Sequence, residues 1–355
     1  MLPTILFFNI NGSGMGHMNR CLAYARQLQG RARPFFFSLA SAIGIIEEMG
    51  FEAEYFVSHY WSASSTFAWN SELAIRFRMV LDQVRPTAVV FDGTWPFQGF
   101  MTATQSYGAP ALVWSNRGLM KSSVGTVPVD ENAFDLVIQP GELGASMQES
   151  VLPSGNRKLL VPPVCLLGND ELLSREAARA ALGLAPDGRY ALFSLGPGNL
   201  KDVSGIGHGL IRDFEAAGYQ VAWACAPISV KDVDLPAGVK PLSLYPLARY
   251  LHAFDVFVGA AGYNACCEVV QAGIPTLLVP NVELADDQMR RAQMVAATIP
   301  AVVSTCETAA QRQEAVSALL AKVSAAGHQP PVITMNGAAL AADAILELAR
   351  QRSGR

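Results

Sequence analysis

Charged residues make up only 16% of this 355-residue chain, and no block of basic residues occurs in it. A polyanion binder concentrates Lys and Arg, so 26 basic against 30 acidic side chains, a formal charge of −4, argues against nucleic acid as a partner. Apolar runs are limited too: none reaches the roughly 18–20 residues of a bilayer span. The opening Met1-Leu-Pro-Thr-Ile-Leu-Phe-Phe lacks a basic n-region and enters a glycine loop at once, so it reads as a buried strand rather than a signal peptide. The six cysteines, Cys21, Cys165, Cys225, Cys266, Cys267 and Cys306, are dispersed and form no CxxC pair. That indicates neither a disulfide framework nor a zinc site, and suits a reducing cytoplasm. Peripheral contact with the inner face of a membrane stays compatible with this.

What the chain has in quantity is interior: hydrophobic residues are 51%. At about 150 residues per domain the length fits two domains. Short β-rich runs alternate with stretches of helical period, the pattern of parallel sheets covered by helices, so the class is α/β. Strands are predicted at Ile5–Asn9, Pro34–Ser38, Ala88–Phe91, Ala111–Trp114 and Leu136–Gln139. Helices fall between them near His17–Gln29, Ser41–Met49, Ser71–Val84 and Phe97–Tyr107. Around Val161-Pro-Pro-Val-Cys-Leu-Leu-Gly168 the pattern breaks and Leu172–Leu182 opens a new helix. Strands follow at Tyr190–Ser194, Gln220–Ala224, Asp255–Val258 and Thr276–Val279. The division is therefore 1–163, 164–335, and a final helix, 336–355, long enough to cross back to the first domain.

The string Asn9-Ile-Asn-Gly12-Ser-Gly14-Met-Gly16-His17-Met-Asn-Arg20 joins the first strand to a helix. Its glycines let a ligand approach the backbone, and the helix start offers unpaired N–H groups to negative charge or a sugar hydroxyl. His17 lies at the carboxyl end of the first strand, where open sheets of this class bind ligands. A helix N-terminus disfavours the imidazolium, so a neutral ring can take a proton from a hydroxyl. Asp92, which ends the strand Thr87-Ala-Val-Val-Phe91, falls on the same sheet edge and can orient that ring. A turn with an incidental histidine and a capping aspartate is the plainer alternative.

The second half repeats the theme: Ser194-Leu-Gly196-Pro-Gly198-Asn199 ends a strand. Further on come Leu244-Tyr-Pro-Leu247, Gly259-Ala-Ala-Gly262-Tyr-Asn-Ala-Cys-Cys-Glu268 and Ala272-Gly-Ile-Pro-Thr-Leu-Leu-Val-Pro280. Amides at Gly259–Gly262 can face a diphosphate without a cation, and Glu268 can accept hydrogen bonds from ribose hydroxyls. Asp286-Asp287-Gln288 then starts a helix, where N-capping is the alternative role for the acids. Adjacent carboxylates without DxD spacing or a neighbouring histidine do not suggest a metal.

The glycine loop with its histidine, and more specifically the order of strand, glycine turn, helix with Glu, Gly-Ile-Pro, strand and Pro, resemble the GT-B glycosyltransferases, in particular the bacterial muramyl-peptide N-acetylglucosaminyltransferase group. Gly14-Met-Gly-His-Met-Asn-Arg-Cys21 is also similar to a string in a related hydrolase of UDP-activated amino sugars. The resemblance implies two doubly wound Rossmann-like domains facing each other across a cleft, and metal-independent, inverting transfer with His17 as base and Asp92 as its partner. It implies no cofactor beyond a nucleotide-sugar co-substrate, UDP-linked by preference, and a small-molecule, glycan or lipid-linked acceptor. Donor contacts implied are Gly14 and Gly16 from the first domain and Gly196, Gly198, Asn199 and Leu244 from the second. Gly259, Ala261, Gly262, Tyr263 and Asn264 would follow at the diphosphate, with Glu268 on the ribose. Asp287 and Gln288 would meet the sugar, although Met289 replaces the second of the family's paired glutamines.

Three other functions fit parts of this pattern. A nucleotide-sugar hydrolase would use His17 to activate water. A nicotinamide oxidoreductase would use Gly12–Gly16, but Ser38-Leu-Ala offers no acid after the second strand. A binding protein would hold the donor without turnover. The aromatic stretch Tyr55–Trp69 falls where an acceptor would enter, yet core burial is the commoner fate of such residues.

Overall fold

A computed structural model of the chain describes residues 2–11, 14–108, 110–116, 119, 131–143, 158–196, 204–229, 234–281, 286–325 and 337–353. Two wholly parallel sheets organise them. The first has seven strands in the order β3-β2-β1-β4-β5-β6-β7, formed by β1 (Thr4–Asn9), β2 (Arg33–Ser38), β3 (Glu52–Tyr55), β4 (Ala88–Asp92), β5 (Ala111–Ser115), β6 (Leu136–Pro140) and β7 (Lys158–Val161). The second has six, in the order β10-β9-β8-β11-β12-β13, from β8 (Tyr190–Ser194), β9 (Gln220–Ala224), β10 (Lys240–Leu242), β11 (Val256–Gly259), β12 (Thr276–Leu278) and β13 (Ala301–Val303).

The inner strands are apolar on both faces because both are covered. Along β1, Ile5 and Phe7 join one core cluster while Leu6 and Phe8 join another, and all four are fully buried. Ile5 and Phe7 face α1 (Gly16–Gln27) and α10 (Gly337–Ser353), through Leu22, Ala341 and Ile345. Leu6 and Phe8 face α3 (Thr66–Val84) and α4 (Gln98–Tyr107), through Phe77 and Phe100. The ring of Phe8 lies 5.1–5.3 Å from those of Phe37, Phe77, Phe91 and Phe100. Aromatic pairs of this kind contribute about 0.5–1.5 kcal/mol each, so the strand end that leads into the glycine loop rests on a rigid base.

In the second sheet, one face carries α6 (Ser204–Ala216) and α9 (Ala309–Ala325), and the other α5 (Arg175–Leu182), α7 (Tyr263–Ala272) and α8 (Gln288–Ala296). The cluster on that second face is continuous with the α1/α10 side of the first sheet, so the two halves share one core. Helix α10, last in the chain, packs on the first sheet beside α1. Its first residue must be small: a Cβ at Gly337 would overlap the carbonyl oxygen of Pro162, and Gly337 N–H donates to Pro163 O at 3.3 Å.

Several elements differ from the sequence expectation. Strands β3, β7, β10 and β13 were not expected, and they are the four sheet edges. Helix α3 begins five residues earlier than Ser71, because Ser65 Oγ accepts Ala68 N–H as an N-cap and Trp69 buries its ring in the first turn. The aromatic stretch thus divides between the end of β3, a loop and α3. Helix α2 (Gly44–Glu48) is shorter than Ser41–Met49, with Ile46 its buried residue. Helix α5 starts at Arg175 rather than Leu172, behind a 3-10 turn at Asn169–Glu171 and an N-cap at Ser174.

Candidate functional site

In both sheets the connections from the two central strands leave toward opposite faces, which opens a crevice at their carboxyl ends. In the first sheet these strands are β1 and β4, and their register pairs Asn9 with Asp92. His17 sits in the first turn of α1 above that edge. It is 6% exposed and its Nδ1 lies 2.7 Å from Asp92 Oδ1. Asp92 is fully buried and is also held by Arg20, with Nε to Oδ2 at 2.8 Å and Nη2 to Oδ1 at 2.5 Å.

Burial alone would push the Asp92 carboxyl up, but the Arg20 charge and the hydrogen bonds from His17 and Arg20 outweigh it and bring it down to about 2. Asp92 is therefore an anion at neutral pH and can only accept. His17 Nδ1 must carry the hydrogen in this contact, which leaves Nε2 as the ring's basic atom. The arrangement can fix one imidazole tautomer and compensate a proton gained at Nε2. Helix α1 begins after Met15, which supplies no side-chain cap, and has no acid in its first turn. Gly14 and Gly16 flank this turn with open space where a Cβ would stand.

The corresponding crevice of the second sheet lies between β8 and β11. Gly196 follows β8 with φ +101°, and Gly259 ends β11 beside Ser194. Helix α7 starts at Gly262 with no side-chain cap, so its first-turn N–H groups, those of Tyr263 and Asn264 included, are oriented for an anion. Glu268 stands on α7 with partial exposure, and desolvation pushes its carboxyl up to about 7. Leu244 is half-buried in the segment before the 3-10 turn Leu247–Ala253. Gly198 and Asn199 lie outside the described residues.

Other expected donor residues are partly engaged within the protein. Asp287 Oδ1 caps α8 by accepting Arg290 N–H at 3.1 Å, and Gln288 Oε1 accepts Asn281 N–H at 2.9 Å. Ala261 is fully buried. Tyr263 is 3% exposed, and its hydroxyl donates to Gly141 O at 2.9 Å while accepting Val164 N–H at 3.0 Å.

The two crevices meet. The Arg20 guanidinium lies 5.8 Å from the centre of the Tyr263 ring, so the group that holds Asp92 touches the first residue of α7. Tyr245, next to Leu244, donates to Asn19 Oδ1 on α1 at 2.8 Å, and Arg26 on α1 pairs with Glu171. Sequence reasoning gave no role to Arg20 or Tyr245. Arg20 carried a signal, since a residue three positions after His17 shares its helix face; Tyr245 carried none. Cys266 and Cys267 are buried as small core thiols, and His59 packs against the rings of Trp69 and Phe97. Among the described residues no group of three or more His, Cys, Asp or Glu is arranged to hold a metal ion, and no helix is long and apolar enough to cross a membrane.

Residues 225–342 match the glycosyltransferase family 28 C-terminal domain. The chain is 24% identical over 213 residues to a UDP-N-acetylglucosamine–N-acetylmuramyl-(pentapeptide) pyrophosphoryl-undecaprenol N-acetylglucosamine transferase of Bacillus licheniformis. That match covers 57% of this chain and 55% of the relative, so the chain spans about half the length of the curated relative it matches. MurG of Acinetobacter baumannii superposes with a TM-score of 0.60 at 14% identity, over 97% of this chain and 99% of that one. The UDP-GlcNAc 2-epimerase of Neisseria meningitidis, solved with UDP-GlcNAc, does so with 0.66 at 11% identity, over 97% and 100%. The fold is GT-B, and the chain resembles the muramyl-peptide N-acetylglucosaminyltransferase group.

Proposed function

We propose that the protein is a glycosyltransferase that moves a sugar from a nucleoside diphosphate, UDP by preference, to an acceptor hydroxyl, with inversion at the anomeric carbon. The observation that supports this reading is the contact from Asp92 through Arg20 to Tyr263, by which the His17–Asp92 pair of the first sheet neighbours the uncapped start of α7 in the second. In the reaction His17 Nε2 takes the acceptor proton as the acceptor oxygen bonds to the anomeric carbon and the bond from that carbon to the diphosphate breaks. Asp92 compensates the imidazolium. The amides of α7 and of the loops at Gly196 and Gly259 receive the charge that builds on the leaving diphosphate, while Glu268 accepts from the ribose. Closure of the cleft would keep water from the anomeric carbon. The family 28 match over the second half supports the donor assignment.

The test is product analysis with UDP-N-acetylglucosamine, other UDP-sugars and dTDP-sugars, each with and without candidate hydroxyl acceptors, small, glycan or lipid-linked. Sugar appearing on the acceptor, with little free sugar in its absence, is expected. Equally fast release of free sugar without acceptor would make the protein a hydrolase, and binding of a nucleotide sugar with no product under any acceptor would make it a binding protein. Because backbone amides receive the diphosphate in this reading, excess EDTA should leave turnover unchanged; loss restored by Mg²⁺ or Mn²⁺ would overturn that part.

A further inference from the structure

Arg291, the fourth residue of α8, is fully buried, and each of its five N–H donors has an acceptor. Nε donates to Glu142 Oε2 and Nη2 to Glu142 Oε1, both at 2.8 Å. Nη2 also donates to Asp286 Oδ1 and Nη1 to Asp286 Oδ2, again at 2.8 Å, and Nη1 reaches Ala261 O at 3.1 Å. Two of the three partners belong to donor-side loops: Ala261 follows β11, and Asp286 precedes the Asp287–Gln288 turn. The third, Glu142, comes from the first domain, just beyond β6.

The same corner of the first domain is held a second time. Tyr263, whose ring lies 5.7 Å from the Arg291 guanidinium and 5.8 Å from that of Arg20, donates its hydroxyl hydrogen to Gly141 O. Gly141 has no room for a side chain, since a Cβ would stand 2.8 Å from Val161 O. Asp287 N–H also reaches across, to Leu119 O at 3.3 Å. A buried Arg between two carboxylates is a poor source of stability, because desolvation offsets its attraction. Its use lies in geometry: a guanidinium fork accepts two carboxylates in one arrangement only.

We infer that Glu142 is a positioning residue for the donor sugar. By completing the hydrogen bonds of Arg291 it fixes Asp286 and the Ala261 carbonyl, and through them the turn that carries Asp287 and Gln288. The sugar end of the donor site is thus finished by a residue of the acceptor-side domain. Without Glu142, two N–H donors of Arg291 lose their acceptors and the turn loses its anchor to the first domain, while the nucleotide end at Glu268 and Leu244 is untouched.

This rests on the donor-site reading above, and the experiment separates the two. Affinities of the full chain for UDP and for the UDP-sugar it binds best, among UDP-GlcNAc, UDP-GalNAc and UDP-glucose, are measured by calorimetry without acceptor for wild type, Glu142→Gln and Glu142→Asp. For Glu142→Gln, UDP affinity should stay within about twofold while UDP-sugar affinity falls about tenfold, the scale of coupling between sites. Glu142→Asp should recover part of the loss. Wild type that binds neither ligand removes the donor-site reading and this inference with it. Wild type that binds the UDP-sugar, with Glu142→Gln unchanged or weakened equally for UDP and UDP-sugar, overturns the positioning role alone. Where Glu142→Gln does not fold, Glu142→Asp carries the test alone: it keeps the carboxylate and shortens its reach, so a loss of UDP-sugar affinity with UDP affinity unchanged is expected, and equal effects on both ligands, or none, overturn the role.

Discussion

His17 Nδ1 and Arg20 Nη2 lie 3.2 Å apart, both on one oxygen of Asp92, Oδ1. One carboxylate charge is therefore shared between a permanent cation and an imidazole ring. Arg20 keeps Asp92 ionised and fixed, and Asp92 in turn fixes the ring.

Removal of the ring should separate chemistry from binding. Positioned acid–base groups contribute about 10²–10⁴-fold, so His17→Ala should lower kcat by that order and leave donor affinity within a few-fold. Asp92→Asn should cost less, and the double variant should fall well short of the product of the single losses, because both residues serve one proton. Steady-state kinetics with the true acceptor decides it; near-normal kcat in His17→Ala would place the base elsewhere.

The Asp92 carboxyl also links folding to acid. Its pKa falls from an ordinary 3.8 to about 2 in the folded chain, so its contribution is present above about pH 4 and disappears as pH drops through about 2. The size is on the order of 2 kcal/mol. Urea unfolding from pH 5 to pH 2 should show this component in wild type and not in Asp92→Asn, which should be destabilised at all pH values because it leaves Arg20 buried without its counter-charge. Parallel curves for the two proteins would refute the linkage.

Glu268 works in the opposite direction. Desolvation raises its carboxyl from 4.5 to about 7, so in the absence of ligand this group's contribution to stability is fully present below about pH 4.5 and is lost as pH rises through about 7. A ligand that donates hydrogen bonds to the carboxylate must first draw off the proton at low pH. Nucleotide binding should therefore be about tenfold weaker at pH 6 than at pH 8. Glu268→Gln should flatten that profile, and Glu268→Ala should weaken binding by about 1.5–3 kcal/mol. Calorimetry across the pH range is the check: a flat wild-type profile would show that the carboxylate does not meet the ligand.

The strands legible in the sequence are the inner ones. Residues such as Ile5–Phe8 and Tyr190–Phe193 are covered on both faces and spell apolar runs. Edge strands pair on one side only and need no such run. Glu52-Ala-Glu-Tyr55 is exposed at both ends and half-buried between them, and β10 even holds Pro241, tolerable where one side of the strand is unpaired. At the candidate site, the positions of His17, Asp92 and Glu268 on their elements were legible because each stands at a fixed offset from a strand end or a glycine turn. Glu142 and Arg291 are 149 positions apart, and no local pattern announces a pair that only the packing of two domains brings together.

The final helix should matter to the domain it packs on rather than to its sequence neighbours. Ile345 and Leu346 are almost wholly buried in the α1 side of the first sheet. Ile345→Ala should cost about 2–5 kcal/mol, and hydrogen exchange should speed up in β1 and β4 more than in β8 and β11. Equal acceleration in both sheets would contradict a local effect.

Because α10 lies on the first sheet and α9 on the second, the chain passes between the halves twice, once at Val161–Val164 and once between Ala325 and Gly337. One half of this molecule is therefore not a continuous stretch of chain: the half built on the first sheet takes its last helix from beyond the whole of the second sheet, and Ile345 and Leu346 settle there against a core laid down more than three hundred positions earlier in the sequence, at Ile5 and Phe7.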